Sequence, residues 1–127
     1  MKADIKQRWV DALRSGKYKQ DIGHLRTRKG FCCLGVLCDV YSPENWVATG
    51  ETINDEVFEN WHYKTVDEFG NHYAGEVLPH DVMEFCDMGT ASPEIFIPHG
   101  QNYKTLASIN DDGATFAEIA DLIETHL

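Results

Sequence analysis

The stretch Phe31-Cys32-Cys33-Leu34-Gly35-Val36-Leu37-Cys38-Asp39-Val40-Tyr41 decides how the chain folds. Its central run, Cys32 to Cys38, carries no charge. A run this short cannot cross a bilayer, which takes about 20 predominantly apolar residues, so it predicts a buried helix from Cys32 to Tyr41. Cys33, Val36, Leu37, Val40 and Tyr41 supply the apolar face. Glycine inside a helix costs up to ~1 kcal/mol relative to alanine. Gly35 therefore predicts a close helix contact in which no side chain fits. Ser42-Pro43 ends the helix. Three of the four cysteines lie in this stretch, and Cys86 is the fourth. Neighbours such as Cys32 and Cys33 cannot form an unstrained bridge. At about 100° per residue, Cys38 stands roughly 120° from Cys32 and roughly 140° from Cys33 around the helix. The three thiols thus do not converge as zinc ligands must, and neither C-x-x-C nor H-x-x-x-H spacing occurs. We expect buried free thiols in a reducing cytoplasm, with no metal and no cofactor.

Outward from this helix, the chain reads as one domain over residues 1–127. Its composition, 43% apolar and 25% charged, excludes collagen-like, disulfide-stapled and disordered classes. Charges interspersed among the first fifteen residues argue against a secretory signal. Asp4 to Ser15 predicts a helix with Ile5, Trp9, Val10 and Leu13 on one face and Gly16 as its stop. Gly23 to Thr27 predicts a short strand entering a turn at Arg28-Lys29-Gly30. The aromatic-rich middle, Glu44 to Val77, has no sustained period. Only His62 to Val66 alternates as a strand, followed by a turn at Phe69 to His72 and a second strand around Tyr73. Pro79 to Phe85 predicts a helix with Val82, Phe85 and Cys86 inward and Gly89 as terminator. Glu94 to Ile97 reads as a strand between Pro93 and Pro98. Tyr103, Leu106, Ala107 and Ile109 suggest a helix broken at Asn110-Asp111-Asp112-Gly113. Thr115-Phe116-Ala117-Glu118 has the form of a capping box before a last helix. The expected class is α+β, with four to five helices packed on a small antiparallel sheet.

Charge is unevenly distributed. Residues 1–30 hold nine bases against three acids, a net of +6, while residues 31–127 hold two bases against eighteen acids, a net of −16. Such a division predicts a basic patch on an acidic body. Direct binding of DNA or RNA is disfavoured, because those carboxylates repel a phosphate backbone. Phe116-Ala117-Glu118-Ile119-Ala120 echoes a helix-turn-helix opening, but its surroundings are acidic. Placing Gly113 at the sixth position of a calcium loop puts Ser108 and Ile119 where carboxylates are needed. No phosphate-cradling glycine loop or dinucleotide fingerprint occurs. His80-Asp81, His99 and Cys86 are the pieces of a Cys–His catalytic site. Nothing in the sequence brings them together, so no catalytic residue is assigned and the balance leans away from an enzyme.

The candidate ligand residues are Arg26, Arg28 and Lys29 for an anion, with Trp46, Trp61 and Tyr63 as a stacking surface. A forked guanidinium suits phosphate, and an aromatic face suits a base.

Taken together, the segments Trp9 to Gln20, Phe31 to Asp39, Leu78-Pro79 and Leu106 to Glu124 resemble a widespread family of small phage and prophage proteins. The likeness covers most of the chain outside its middle, and Cys-Cys-Leu-Gly-Val-Leu-Cys-Asp (32–39) is its most specific part. It implies an accessory protein acting by binding in the bacterial cytoplasm, and it brings no catalytic residues. Two functions follow as expectations. One is sequestration of a small phosphorylated, nucleotide-like host defence signal. The alternative is an acidic protein–protein inhibitor that mimics nucleic acid toward a host protein. Neither involves a membrane.

Overall fold

The computed structural model describes residues 1–53, 56–97 and 102–127. At its centre is α2 (Cys33–Tyr41), whose residues from Cys33 to Cys38 are all buried. A helix that is apolar all round has to be enclosed on every side. It is packed against α1 (Ala3–Arg14), α3 (His80–Cys86) and α4 (Leu106–Asp111), while α5 (Phe116–His126) covers α1. Trp9 on α1 is fully buried, and its indole Nε1 donates to the Cys33 carbonyl at 2.9 Å. Gly16, at φ +74°, takes the left-handed turn that stops the chain after α1. At the start of α5, Thr115 Oγ1 accepts from the Glu118 amide at 3.2 Å. The Glu118 carboxylate reaches the Thr115 hydroxyl.

Gly35 is the closest point of the core. A Cβ built on it would meet the Leu25 carbonyl oxygen at 1.7 Å. The expected close contact is present, but the partner is the backbone leading into a strand rather than another helix.

The main sheet comprises β1 (Arg26–Thr27), β2 (Trp46–Ile53), β3 (Glu56–Asp67) and β4 (Gly70–Ala74), all antiparallel to β3. Trp61 pairs with both Arg26 and Ala48, and Tyr63 with both Trp46 and Ala74. Hence β2 occupies one edge of β3, and β1 and β4 share the other. Buried Trp46, Tyr63 and Thr65 form the inner face of this sheet. A second hairpin pairs β5 (Glu94–Ile97) with β6 (Asn102–Thr105). The described chain is thus an α+β fold of five α-helices and antiparallel strands.

Four local expectations change. β2 is a full strand where the sequence shows no period. The turn expected at Phe69 to His72 falls at Glu68-Phe69, and Gly70 (φ +113°) already begins β4. Asp87, at φ 54°, rather than Gly89 closes α3, its amide reaching the Glu84 carbonyl. Tyr103 lies on β6, edge-on to Phe96 at 5.3 Å, and not in the helix that follows. Pro98 and His99 lie outside the described residues.

Helices α1 and α5 are also joined by charge. Arg14 Nη2 stands 2.5 Å from Asp121 Oδ1 and 2.8 Å from Glu124 Oε2. Hydrogen bonding from the Arg14 guanidinium holds the Glu124 carboxyl below its ordinary value. A depressed folded value gives stability that is complete above the unfolded carboxylate range and lost as pH falls through the folded value. Arg14→Gln is therefore expected to lower the melting temperature slightly at neutral pH. The gap from the parent should narrow as pH falls through the depressed Glu124 value, because the Arg14 interaction is lost once that carboxyl is neutral. Thermal melts across that range check this, and a gap independent of pH contradicts it.

Candidate anion-binding site

Residues 17–31 hold five bases and one acid, Asp21. The backbone arranges them as two segments side by side. The Phe31 amide donates to the Lys19 carbonyl at 2.8 Å, and the Asp21 amide donates to the Phe31 carbonyl at 2.8 Å. Within the second segment, the Thr27 amide donates to the Gly30 carbonyl at 2.7 Å and closes the turn through Arg28 and Lys29. A Cβ on Gly30 would lie 2.3 Å from the Lys19 carbonyl oxygen, so only glycine allows the segments to meet this closely. The Asp21 carboxylate is engaged here, accepting from the Thr27 hydroxyl at 2.5 Å and the Ile22 amide at 2.9 Å.

The pair is tied to the core through Asn110, one of the few buried polar residues. Asn110 Nδ2 donates to the Asp21 carbonyl at 2.9 Å. Its Oδ1 accepts from Gln20 Nε2 at 2.9 Å and from the Cys33 amide, at the N-terminus of α2, at 3.3 Å. One side chain thus holds the basic loop and caps the central helix. Asn110→Ala takes the partner from the buried Cys33 amide and from the Asp21 carbonyl, while Gln20 keeps the Ala114 carbonyl at 2.7 Å, and is expected to cost about 2 kcal/mol. Urea unfolding measures this, and a loss no larger than that of an exposed substitution contradicts the anchoring role.

Arg26 stands at the middle of the loop pair. It lies directly opposite Trp61 across the β1/β3 ladder, and cross-strand partners project from the same face. Its guanidinium carbon is 4.1 Å from the Trp61 ring centroid, 5.0 Å from that of Phe31 and 5.6 Å from that of Trp46. Beneath it the rings continue edge to face, Tyr18 to Phe31 at 5.1 Å, Phe31 to Trp46 at 5.9 Å and Trp46 to Tyr63 at 5.0 Å. Asp39 fixes two of these rings, accepting from the Tyr18 hydroxyl at 2.6 Å and from Trp46 Nε1 at 3.1 Å. The Tyr63 hydroxyl donates to the Ser42 carbonyl at 2.9 Å. Burial pushes the Tyr18 and Tyr63 hydroxyls well above their ordinary range, so both stay protonated donors. A guanidinium lying on aromatic rings uses its π-face for them and keeps its in-plane N–H donors for an oxyanion. Among the described residues, those donors have no acceptor.

Four of the six residues expected at a ligand site therefore converge: Arg26, Trp46, Trp61 and Tyr63. Their roles differ from the expectation. Tyr63 is fully buried and Trp46 is 8% exposed, because they face each other on the inner side of the β2/β3 ladder. They support Arg26 from below. Half-buried Trp61 is the one member of the expected stacking trio that offers surface. Arg28 and Lys29 are exposed at the turn, with Lys19 on the adjoining segment and Lys17 two residues before it. Sequence reading missed Tyr18, Phe31, Lys19 and Asp39 as members of this cluster.

Of the pieces of a Cys–His site, His80 and Cys86 do not meet, and His99 lies outside the described residues. His80 is exposed, with Nε2 3.0 Å from Glu84 Oε1. Cys86, six residues further along α3, is buried and donates to the Val82 carbonyl at 3.0 Å. All four cysteines are free and buried, and desolvation pushes every thiol up, Cys33 and Cys38 furthest. Such thiols are poor nucleophiles. No helix among the described residues is long and apolar enough to cross a membrane.

Comparison with known proteins gives one match, a family model described as a domain of unknown function (DUF8296), over residues 1–127. No curated protein and no solved structure matches the chain.

Proposed function

The chain belongs to the DUF8296 family, and we propose that it is a non-enzymatic binding protein that grips a small phosphorylated ligand on the edge formed by residues 17–19 and 26–29. The observation that carries this reading is the stacked Arg26, with its N–H edge uncommitted among the described residues and exposed Lys19, Arg28 and Lys29 on the same pair of segments. Phosphate would take the N–H edge, where charged hydrogen bonds are about twice as strong as neutral ones. The free surface of Trp61 would take a base, which makes a nucleotide-like molecule the best match. Rigid anchoring through Asn110 and Asp21 favours binding, because little ordering is left to be done when the ligand arrives. We further propose that the chain is a phage accessory protein and that its purpose is sequestration of a host defence signal.

Calorimetric titration with a panel of cyclic and ADP-ribose-derived nucleotides tests the proposal. Saturable heat that weakens as salt is raised is the expected result. Absence of heat from every member overturns it.

A further inference from the structure

Strand β3 outruns one of its neighbours. It extends to Asp67, whereas β2 begins at Trp46, opposite Tyr63. Lys64, Thr65 and Val66 therefore pair on one side only, with Tyr73, His72 and Asn71 of β4. The place of β2 beside them is taken by a short 3₁₀ helix, Pro43–Asn45, which begins on a proline that has no N–H to give a ladder. Two hollows that share Thr65 and Asp81 open along this edge. One, of about 410 Å³, is lined also by Glu44, Asn45 and Lys64. The other, of about 290 Å³, reaches Ala74 on β4 and His80 at the start of α3. Sites for small molecules begin at about this size.

The protein leaves polar groups of this space unsatisfied. Thr65 is 7% exposed, and its hydroxyl has no hydrogen-bond partner among the described residues. No sealed side-chain oxygen or nitrogen among those residues lacks a partner, so the Thr65 hydroxyl is not shut in the core but opens on the hollows it lines. Half-buried Lys64 makes no ion pair among the described residues, although Glu44 and Asp81 line the same hollow. The other base of residues 31–127, Lys104, is paired with Asp112 at 3.0 Å. The Ser42 hydroxyl donates to the Glu44 carboxylate and holds its carboxyl below the usual range, so Glu44 is charged at neutral pH.

These charges select the occupant. Lys64 would repel a lone cation, and Glu44 and Asp81 would repel a lone anion. A small molecule with both an ammonium and a carboxylate answers all three, through charge-assisted hydrogen bonds. We propose that the larger hollow binds a free amino acid, its carboxylate on the Lys64 ammonium and the Thr65 hydroxyl, its ammonium between Glu44 and Asp81. This site is separate from the basic loop, since none of its lining residues falls within 17–31.

Calorimetric titration of the full chain with the standard L-amino acids, β-alanine and γ-aminobutyrate is the test, repeated with the N-acetyl and carboxamide derivative of each compound that binds. At least one free amino acid should give saturable heat, and blocking either end should weaken it roughly tenfold or more, the worth of one hydrogen bond to a charged group. Lys64→Met should weaken binding by a similar factor and Thr65→Val by a few-fold, with unchanged far-ultraviolet circular dichroism showing that both variants fold. Lys104→Met, which removes the other base, should leave the affinity as it is. The proposal is overturned if no compound gives heat or if either blocked derivative binds as tightly as its parent. It is equally overturned if Lys64→Met binds no more weakly than Lys104→Met.

Discussion

Gly35→Ala is expected to destabilise the chain by about 3–4 kcal/mol, more than any surface substitution and above the usual range for overpacking, because the clash is with backbone. The added Cβ would stand 1.7 Å from the Leu25 carbonyl oxygen and 2.6 Å from its carbon. Both are backbone atoms, so no side-chain rotation relieves the clash. Neither side has room to retreat. Helix α2 is enclosed by α1, α3 and α4, and its own residues from Cys33 to Cys38 are all buried. Leu25 is held by its amide to the Gly75 carbonyl at 2.7 Å and by its carbonyl to the Cys32 amide at 3.1 Å. The better helix propensity of alanine returns at most ~1 kcal/mol. A fall in melting temperature of roughly 10 °C follows for a chain of this size. Gly50→Ala is the control, because nothing lies within 4 Å of its Cβ position. Equal melting temperatures for the two variants would contradict the close approach. The same displacement would pull β1 from its register with β3, so Gly35→Ala should also weaken whatever Arg26 binds.

The second large effect is on affinity. Arg26→Ala is expected to reduce binding of the phosphorylated ligand about a hundredfold, the worth of a pair of charge-assisted hydrogen bonds. Arg26→Lys should recover only part of this. Lysine keeps the charge but has neither the flat guanidinium that lies on Trp61 at 4.1 Å nor the fork that grips two oxygens. Arg28→Ala and Lys29→Ala should each cost only a few-fold, because exposed charges act through screened attraction. Calorimetry on the four variants ranks them. If the turn residues prove as costly as Arg26, the stacked guanidinium is not the centre of the site.

How much of this was legible depends on the range of the interaction concerned. Helices α1, α2 and α5 are written locally, in the spacing of Ile5, Trp9 and Leu13, the uncharged run at 32–38, and the cap at Thr115. Gly35 signals a close contact, but its partner, Leu25, lies ten residues back on another element. Strand β2 escapes notice because Val47 and Ala48 are both exposed, which breaks the alternation a half-buried strand would show. Asn110 reads as part of a helix-breaking run. Its position four residues after Leu106, beside Ile109, puts it on the buried face, and that was the available signal.

The site was half visible for the same reason. Composition places the bases of residues 17–29 in one region, and Arg26 and Trp61 are each recognisable as candidate ligand residues. Their meeting depends on the register of β1 against β3, which joins positions 35 residues apart in the chain. The burial of Trp46 and Tyr63 follows from the same ladder, so their supporting role could not be separated from a stacking role in sequence alone.

The most direct measurement is an amide and indole NMR map of the ¹⁵N-labelled protein titrated with ADP-ribose and with the cyclic nucleotides. The account predicts shifts concentrated in residues 17–31 and at the Trp61 indole, and lost in Arg26→Ala. Shifts centred on α5 or the β5/β6 hairpin, or a spectrum unmoved by every ligand, would contradict it.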